Sequence, residues 1–365
     1  MKRIMKKRLY KVRPYQPGRP IDEVKRELGL SDVIKLASNE SPYPPSPKVL
    51  QAINRAAENI NRYPDGGCYY LRQALARKLN VKEDQLIFGN GSDELIILAL
   101  RACVEKGDEV IMARPSFLIY PIGSQIIGAR IKQVPLKNMH YDLTKMVQAV
   151  TPKTKIIFLA NPDNPNGTYI AKKELVPFLR KVRNDVLVFL DEAYYEYGAV
   201  NKDFPDGLKL AKTFRNLIVT RTFSKMYGLA GLRIGYGIGQ KETISILNRI
   251  REPFNVNSLA QAAALACLKD ERYYRKLARG IESQKRMLYQ ALDAMGLPYV
   301  KTATNFILID VRKDCSWVAQ ELMQRGVIVR HMKSWGYQRF IRVTIGTMKE
   351  NKRFLKALKL VLDLS

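Results

Sequence analysis

Two residues that follow strand-like runs have side chains suited to covalent or proton-transfer chemistry. Lys225 lies just beyond the apolar run LIVTR (217–221), in the segment TFSKMYGLAGLRIGY. A lysine becomes a nucleophile when burial and neighbouring cations lower the pKa of its amine. Asp191 directly follows the apolar run VLVFL (186–190), which predicts a carboxylate at the edge of a buried strand. Such a charge is costly unless it is paired, and a protonated ring nitrogen is one cation that would pair with it.

Two further segments are suited to hydrogen bonding with a ligand. In ANPDNPNGTYI (160–170), prolines fix the backbone beside the amide side chains of Asn161 and Asn164. In GNGSDELIIL, Ser92 is an N-cap candidate at the start of a helix, where free N–H groups and the helix dipole favour a phosphate. The carboxylate of Asp93 would repel that anion unless its side chain turns away.

The elements that position these residues alternate between strand-like runs and amphipathic stretches from about residue 70 onward. The predicted strands are 86–89, 109–113, 155–160, 186–190, 217–221 and 234–238. This alternation is typical of an α/β fold whose sheet is mostly parallel and covered on both faces. Ligands of such sheets bind beyond the carboxyl ends of the strands, where Ser92, Asn161, Asp191, Ser224 and Lys225 all lie. The sequence therefore predicts one site at this edge.

The remaining segments predict a smaller domain and an N-terminal arm. Residues 259–296 are predicted as one long, nearly unbroken helix, and the strand-like runs FILID, VIVR and FIRVTIG follow it between helices. The Pro-rich start, which includes SNESPYPPSP (38–47), is typical of an extended arm. We expect an arm over 1–45, a large domain over 46–258 and a small α+β C-terminal domain over 259–365 that begins with the long helix.

Composition and charge exclude several classes of protein. The 365 residues are 46% hydrophobic and 26% charged, which excludes an intrinsically disordered chain. No apolar run approaches the ~18 residues of a membrane span, and the basic start MKRIMKKRLYKVRPY is not followed by the apolar stretch of a signal peptide. The net charge of +28 is spread along the chain without a basic array interleaved with aromatics. We therefore expect neither a nucleic-acid nor a membrane partner.

The cysteines and histidines argue against disulfides and metals. The cysteines are scattered without paired spacing, as expected of reduced thiols in a cytoplasmic protein; they are Cys68, Cys103, Cys267 and Cys315. His140 and His331 are far apart and lack nearby Cys or Glu ligand patterns, so no metal site is expected.

Taken together, the motifs resemble a known superfamily over essentially the whole chain. The matching segments include LASNESPYPPSP, NRYPDGG, FGNGSDE, RPSFLIY, NPDNPNGT, DEAYYEY, RTFSKMYGLAGLRIGY, PFNVNSLAQ, TNFILI, GVIVR and FIRVTIGT. By these segments the chain resembles the aspartate-aminotransferase-like (fold type I) superfamily, whose enzymes depend on pyridoxal 5′-phosphate. The resemblance implies an aminotransferase with this cofactor and a fold type I architecture.

The resemblance also implies roles for the residues around the cofactor ring. Lys225 would bind the cofactor aldehyde covalently and later carry the proton that moves during transamination. Asp191 would form a salt bridge with the ring nitrogen and keep it protonated. Tyr194 and Asn164 would hydrogen-bond the ring's 3-oxygen. Phe117, where members of the superfamily often carry Tyr, would stack on the ring.

The cofactor phosphate has its own set of implied contacts. It would lie on the backbone of Ser92 and Asp93, with Ser224 as a hydroxyl contact and Arg233 as a charge-assisted fork. Tyr63, in NRYPDGG, would reach this phosphate from a neighbouring subunit. The resemblance thus implies a homodimer.

The implied substrate contacts come from both ends of the chain. Arg342, in FIRVTIGT, would pair with the α-carboxylate of glutamate or with a substrate phosphate, and Arg330, in GVIVR, would add a second contact to the phosphate. Tyr15 and Asn39 would close over the substrate. His331 receives no role, and the basic N-terminal extension has no counterpart in the superfamily.

The arm, PFNVN and RVTIGT are most similar to superfamily members that act on histidinol phosphate. The expected reaction is therefore transamination between L-glutamate and imidazole-acetol phosphate, giving L-histidinol phosphate and 2-oxoglutarate in histidine biosynthesis. Threonine-phosphate decarboxylation and a broad or aromatic aminotransferase activity are alternatives with the same fold and cofactor. A nucleic-acid-binding protein, suggested only by the charge, is the alternative from another class.

Overall fold

The structure is a computed structural model that describes residues 4–363. Its α-helices are α1 Ile21–Leu28, α2 Pro47–Ala57, α3 Tyr69–Leu79, α4 Ser92–Cys103, α5 Ile119–Ile127, α6 Leu143–Gln148, α7 Lys172–Lys181, α8 Tyr195–Gly198, α9 Gly207–Thr213, α10 Lys241–Ile250, α11 Ser258–Leu268, α12 Glu271–Ala294, α13 Cys315–Gln324 and α14 Met348–Leu362. Its strands are β1 Ile34–Lys35, β2 Leu86–Gly89, β3 Glu109–Arg114, β4 Arg130–Pro135, β5 Thr154–Ala160, β6 Leu187–Asp191, β7 Leu217–Thr222, β8 Gly235–Ile238, β9 Tyr299–Val300, β10 Phe306–Asp310, β11 Val327–Ile328, β12 Arg330–His331 and β13 Phe340–Thr344.

The large sheet confirms the predicted α/β fold with a mostly parallel sheet. Its strand order is β2-β8-β7-β6-β5-β3-β4, and β8 alone runs antiparallel to its neighbours. The central strands β5, β6 and β7 are buried along almost their whole length, as their continuous apolar runs predict. The strand β4 was not predicted, because RIKQVP is largely polar and forms the sheet edge, where only Val134 is buried.

The parallel register of this sheet gathers the predicted site residues at one edge. Ala160, Asp191 and Thr220 are direct neighbours across β5, β6 and β7. The segments that follow β5 and β7 therefore leave the sheet beside Asp191. The helix α4 begins close to this edge, directly after β2.

The C-terminal part contains a four-stranded antiparallel sheet of order β12-β13-β10-β9. The prediction of a single helix over 259–296 was wrong. The chain turns at Lys269 and Asp270, where the N–H of Asp270 donates to the carbonyl of Cys267, and this turn separates α11 from α12. The run VIVR likewise forms two short strands, β11 and β12, rather than one.

The prediction that the N-terminal segment is an extended arm was only partly right. Residues 21–28 form the amphipathic helix α1, which ends at Gly29 in the left-handed conformation. The buried Val24 packs in a small cluster with Met323 and Ile328, and β1 pairs in parallel with β11. Tertiary contacts with a segment about 300 residues away help to stabilise this short helix. Of the basic run Lys2 to Arg13, the first two basic residues lie outside the described part of the chain.

Candidate active site

A cavity of about 260 Å³ lies at the carboxyl edge of the large sheet, against β12 and β13. Its walls are Tyr15, Gly18, Ala37, Ser38, Asn39, Ser92, Asp93, Phe117, Ile119, Ala160, Pro162, Asn164, Asp191, Ala193, Tyr194, Thr222, Ser224, Lys225, Arg233, Arg330, Trp335 and Arg342. Every site residue predicted from the sequence except Tyr63 and Asn161 is among them. The cavity therefore brings together side chains that are separated by more than 300 positions in the chain.

Lys225 lies in this cavity beyond the end of β7, as predicted. Its Nζ donates to the carbonyl of Ser38 (3.4 Å) and lies 5.6 Å from the ring centre of Tyr194. Burial, followed by the positive charge of Arg342, lowers the pKa of the Lys225 amine to about 8. The lowered pKa increases the fraction of neutral amine, the form needed for nucleophilic attack or for proton uptake, near neutral pH.

Asp191 is a buried carboxylate at the floor of the cavity. The hydroxyl of Tyr120 donates to Oδ2 (2.9 Å), and the N–H of Ala193 (3.1 Å) and the hydroxyl of Thr220 (3.4 Å) donate to Oδ1. Burial outweighs these hydrogen bonds and raises the pKa of Asp191 to about 6. Within residues 4–363 no lysine, arginine or histidine forms a salt bridge with Asp191, so the carboxylate is prepared for a cation of another origin.

Tyr194 and Asn164 form a hydrogen-bonded group with residues from distant segments. Asn39 Nδ2 donates to the phenol oxygen of Tyr194 (2.8 Å), and Arg342 Nη1 donates to Oδ1 of Asn164 (2.6 Å). Asn39 has a left-handed backbone (φ 56°), and Thr344 accepts its backbone N–H (2.9 Å). Burial raises the pKa of Tyr194 to about 12 although Arg342 and Asn39 oppose the change. Tyr194 is thus a neutral donor at the cavity wall.

The start of α4 forms an anion cradle with Arg233. Ser92 and Asp93 are the first two residues of the helix, and Gly91 rather than Ser92 is the N-cap, which corrects the predicted cap. Arg233 approaches the Ser224 hydroxyl (Nη1 to Oγ, 3.5 Å) and the Asp93 carboxylate (Nη2 to Oδ2, 3.4 Å). The carboxylate of Asp93 is thus paired with Arg233, which reduces the repulsion that we expected between Asp93 and a bound anion. The backbone N–H groups of the first helical turn remain available to an anion.

Two glycines keep this cradle open. A Cβ at Gly91 would lie 2.5 Å from Nη2 of Arg233, and the φ of Gly91 is +78°. A Cβ at Gly235 would lie 2.6 Å from the backbone nitrogen of Ser92. Any larger residue would therefore push the guanidinium or the helix start out of position.

Arg330 and Arg342 are two buried cations on the opposite wall. Their exposed fractions are 8% and 5%, and they are direct cross-strand neighbours in the antiparallel pair β12–β13. Arg330 donates to the carbonyl of Gln16 (2.6 Å), whereas Nε of Arg342 is buried without a hydrogen-bond partner. Throughout the described chain neither arginine has a carboxylate partner, so this wall is charged for an anionic ligand.

Two aromatic residues at or beside the cavity, Trp335 and Tyr120, were not predicted from the sequence, whereas the predicted Tyr63 lies outside the cavity. Trp335 is buried on the arginine wall, and Tyr120 is the hydroxyl donor to Asp191. Tyr120 ends the matching segment RPSFLIY but received no role there, and Trp335 lies in no matching segment. Asn161 instead bonds both backbone groups of Ile170 and braces its own loop. Tyr63 is 82% exposed.

Cysteines and histidines contribute nothing to the cavity. The four cysteines are free, as predicted, and burial raises the pKa values of the Cys68 and Cys103 thiols to about 11 and of Cys267 to about 12. Among residues 4–363 no group of three or more His, Cys, Asp and Glu side chains could hold a metal ion. No helix in the same range is long and apolar enough to cross a membrane.

The chain belongs to the family of class I and II aminotransferases, whose family model matches residues 31–358. Pyridoxal 5′-phosphate is the cofactor of this family, and the chain is accordingly an enzyme with this cofactor. This confirms the superfamily, the enzyme class and the cofactor expected from the motifs.

The similar proteins carry a more particular name. Histidinol-phosphate aminotransferase of Moorella thermoacetica is 48% identical to this chain over 96% of its length and 91% of the relative's. Histidinol-phosphate aminotransferase 2 of Carboxydothermus hydrogenoformans is 46% identical over 99% and 100%. The crystal structure of histidinol-phosphate aminotransferase from Sinorhizobium meliloti in complex with pyridoxal-5′-phosphate has a TM-score of 0.88 at 29% identity and covers 97% of this chain and 96% of that one.

The residues of the cavity fit this cofactor. The buried Asp191 carboxylate lacks a cationic partner, which suits a protonated ring nitrogen. The cradle of Gly91, Arg233 and the first turn of α4 suits a phosphate. Lys225 lies in the same cavity, and its lowered pKa suits a covalent bond to an aldehyde.

Proposed function

We propose that this enzyme transaminates between L-glutamate and imidazole-acetol phosphate, giving L-histidinol phosphate and 2-oxoglutarate in histidine biosynthesis. One observation of the cavity carries the proposal. Arg330 and Arg342 lie side by side, buried and without carboxylate partners in the part of the chain that the structure describes, and are therefore suited to a strongly anionic substrate group. The names of the relatives at 48% and 46% identity support the same substrate.

Lys225 is proposed as the catalytic residue. When bound, pyridoxal 5′-phosphate supplies an aldehyde for the amine and a protonated ring that takes up the electron pair released at the substrate's Cα. Lys225 Nζ, with its pKa of about 8, takes the proton from Cα and later releases it. The Asp191 carboxylate would keep the ring nitrogen protonated, and three hydrogen bonds to the carboxylate fix its orientation.

The other walls of the cavity are proposed to bind and orient the cofactor. Tyr194 and the amide nitrogen of Asn164 are proposed as donors to the ring's 3-oxygen, and the ring of Phe117 as its stacking partner. The phosphate is proposed to lie on the four groups of the cradle, which are the backbone of Ser92 and Asp93, the hydroxyl of Ser224 and the guanidinium of Arg233. Charge-assisted hydrogen bonds make this set a strong anchor.

The wall formed by Arg330 and Arg342 is proposed to bind the anionic group of the substrate and to exclude water. Arg342 pairs with the glutamate α-carboxylate or with the substrate phosphate, and Arg330 adds a second contact to the phosphate. Tyr15 and Asn39 cover the substrate, and the bond from Arg330 to the carbonyl of Gln16 already fastens the N-terminal segment over this wall. Positioned cations of this kind contribute to both affinity and rate.

The test of the function is a comparison of substrates on purified enzyme. Histidinol phosphate with 2-oxoglutarate should give glutamate, with a kcat/KM well above that for phenylalanine. Release of carbon dioxide from threonine phosphate would instead indicate the decarboxylase, and comparable turnover of phenylalanine would indicate a broad aminotransferase. Lys225→Ala should abolish transamination in every case, and full turnover by this variant would contradict the proposed mechanism.

We further propose a homodimer in which Tyr63 completes the partner's phosphate site. Tyr63 stacks on Phe254 (4.7 Å between ring centres), both rings are exposed, and so are Ile60, Tyr69 and Tyr70, which are close to Tyr63 in the sequence. An exposed aromatic patch of this kind is typical of an interface.

Hybrid dimers test whether Tyr63 acts across the interface. Chains carrying Lys225→Ala are unfolded and refolded together with chains carrying Tyr63→Ala. If Tyr63 serves the partner's site, one site of each hybrid contains both native residues, and the mixture gains activity over the sum of its components. No gain would mean that Tyr63 acts within its own chain or not at all.

Localisation and domain boundaries complete the proposal. The four free thiols, three of them buried, support the predicted cytoplasmic localisation. The boundaries at 45/46 and 258/259 stay predictions. They are supported by the large sheet, whose strands lie between residues 86 and 238, and by the antiparallel sheet, whose strands lie between 299 and 344.

A further inference from the structure

The ring of Trp335 lies close to the guanidinium groups of both Arg330 and Arg342. The guanidinium carbons of Arg330 and Arg342 lie 5.3 Å and 5.6 Å from its ring centre. The indole is 8% exposed and is packed in a cluster with Leu308 and Met332. Both distances are within the range of a cation–π interaction, which strengthens when the cation is desolvated.

The two arginines need such a neighbour. They are opposite each other in an antiparallel strand pair, a position in which like charges are destabilising. Burial adds a cost of desolvation and lowers the pKa of both guanidinium groups. A carboxylate would offset these costs, but it would also neutralise the wall and compete with the substrate. An aromatic ring stabilises the cations through its quadrupole while leaving the net positive charge in place.

A hydrogen bond fixes the indole across the cavity. Trp335 Nε1 donates to the carbonyl of Ser116 (3.1 Å). Ser116 precedes Phe117, the residue proposed to stack on the cofactor, and Leu118 packs against the same cluster as Trp335. The ring that carries the two guanidinium groups is thereby attached to the loop that carries the cofactor's stacking partner.

We propose that Trp335 is a positioning residue that holds Arg330 and Arg342 as a pair for a phosphate with two negative charges. This inference rests on the proposed function, because it takes the substrate's anionic group to be a phosphate monoester. Trp335 itself need not touch the reacting atoms. Its effect is expected in the affinity for phosphate more than in the rate of the chemical step.

Kinetics of three variants of the holoenzyme test the proposal. Trp335→Leu should raise both the KM for histidinol phosphate and the inhibition constant of inorganic phosphate about tenfold, with kcat changed less than about threefold. Trp335→Phe keeps a π face and should restore both constants to within about threefold of wild type. Trp317→Leu is the matched control. The chain has only these two tryptophans, and Trp317 is 45% exposed with Lys313 over its ring, so its loss should change neither constant.

Two kinetic results would overturn the proposal. One is a fall in kcat with unchanged phosphate affinity in Trp335→Leu, and the other is a Phe variant as impaired as the Leu variant. Cofactor absorbance and thermal melting of each variant show whether it is folded and loaded.

A fluorescence measurement on a variant that keeps Trp335 covers the case in which Trp335→Leu does not fold. In Trp317→Phe holoenzyme, Trp335 is the only tryptophan, and its emission should change saturably as inorganic phosphate draws the guanidinium groups towards the anion. An unchanged emission at phosphate concentrations that inhibit turnover would overturn the proposal. Failure of wild-type enzyme to turn over histidinol phosphate would refute the proposed function instead, while the phosphate titration would still decide the role of Trp335.

Discussion

Asp191→Asn is expected to make the cofactor-free protein more stable at pH 8 while it weakens cofactor binding. Burial raises the pKa of Asp191 from 3.8 to about 6, so folding must ionise a group in a place that disfavours its charge. The difference corresponds to a cost of about 3 kcal/mol at pH 8. The amide carries no charge and can still bond Ala193 and Tyr120, although about 1–2 kcal/mol of hydrogen bonding to the carboxylate is lost. The net gain is about 1–2 kcal/mol.

The pH dependence gives the sign of this effect. Between about pH 4 and pH 6 the folded protein holds the Asp191 proton more tightly than the unfolded chain, so wild type loses stability as the pH rises through this window. Above about pH 6 wild type has lost all of the stability that depends on the Asp191 proton. The stability difference between Asp191→Asn and wild type should therefore be larger at pH 8 than at pH 5, by about 1 kcal/mol.

Urea unfolding of the apoprotein at pH 5 and pH 8, followed by circular dichroism, measures the effect. Asp185→Asn is the control, because Asp185 is an exposed residue in an ion pair with Arg183, and such pairs contribute little. Cofactor titrations of the same proteins should show weaker binding only for Asp191→Asn. Equal stability differences at the two pH values would refute the reasoning, since they would mean that the Asp191 charge is already compensated without the cofactor.

Two further predictions concern the neighbours of the cofactor site. Arg342→Gln removes a positive charge that lowers the pKa of Lys225. In wild type the rate of cofactor binding to the apoprotein should rise with pH through about pH 8, and in the variant this rise is expected at higher pH. Identical pH profiles would contradict this prediction. Gly91→Ala places a methyl group against Arg233 and should weaken cofactor binding, measured by absorbance titration, at least tenfold. Gly231→Ala is the control, because its Cβ meets nothing within 4 Å, and it should bind the cofactor normally. Equal affinities of the two variants would refute the proposed phosphate site.

The sequence predicted those parts of the fold that depend on local patterns. The buried strands β5, β6 and β7 are continuous apolar runs, and they lie within one residue of where their patterns indicate. The resemblance of the motifs, including those around Lys225 and Asp191, to a known superfamily predicted the family and the cofactor. The helix α1 and the break between α11 and α12 were missed, since short amphipathic and polar segments depend on distant packing partners.

Tertiary structure alone decided how the cavity is charged and braced. The resemblance to the superfamily drew attention to Arg330 and Arg342, but the strand register makes them opposite neighbours, and only their burial without a carboxylate partner among residues 4–363 makes them an anion wall. In the sequence Trp335 is one aromatic residue among many. It acquires significance because folding packs its ring against both guanidinium groups and its Nε1 against Ser116. Local patterns determine where strands and helices form, whereas the pKa of a side chain and the partners of a charge depend on groups that approach it only after the chain has packed.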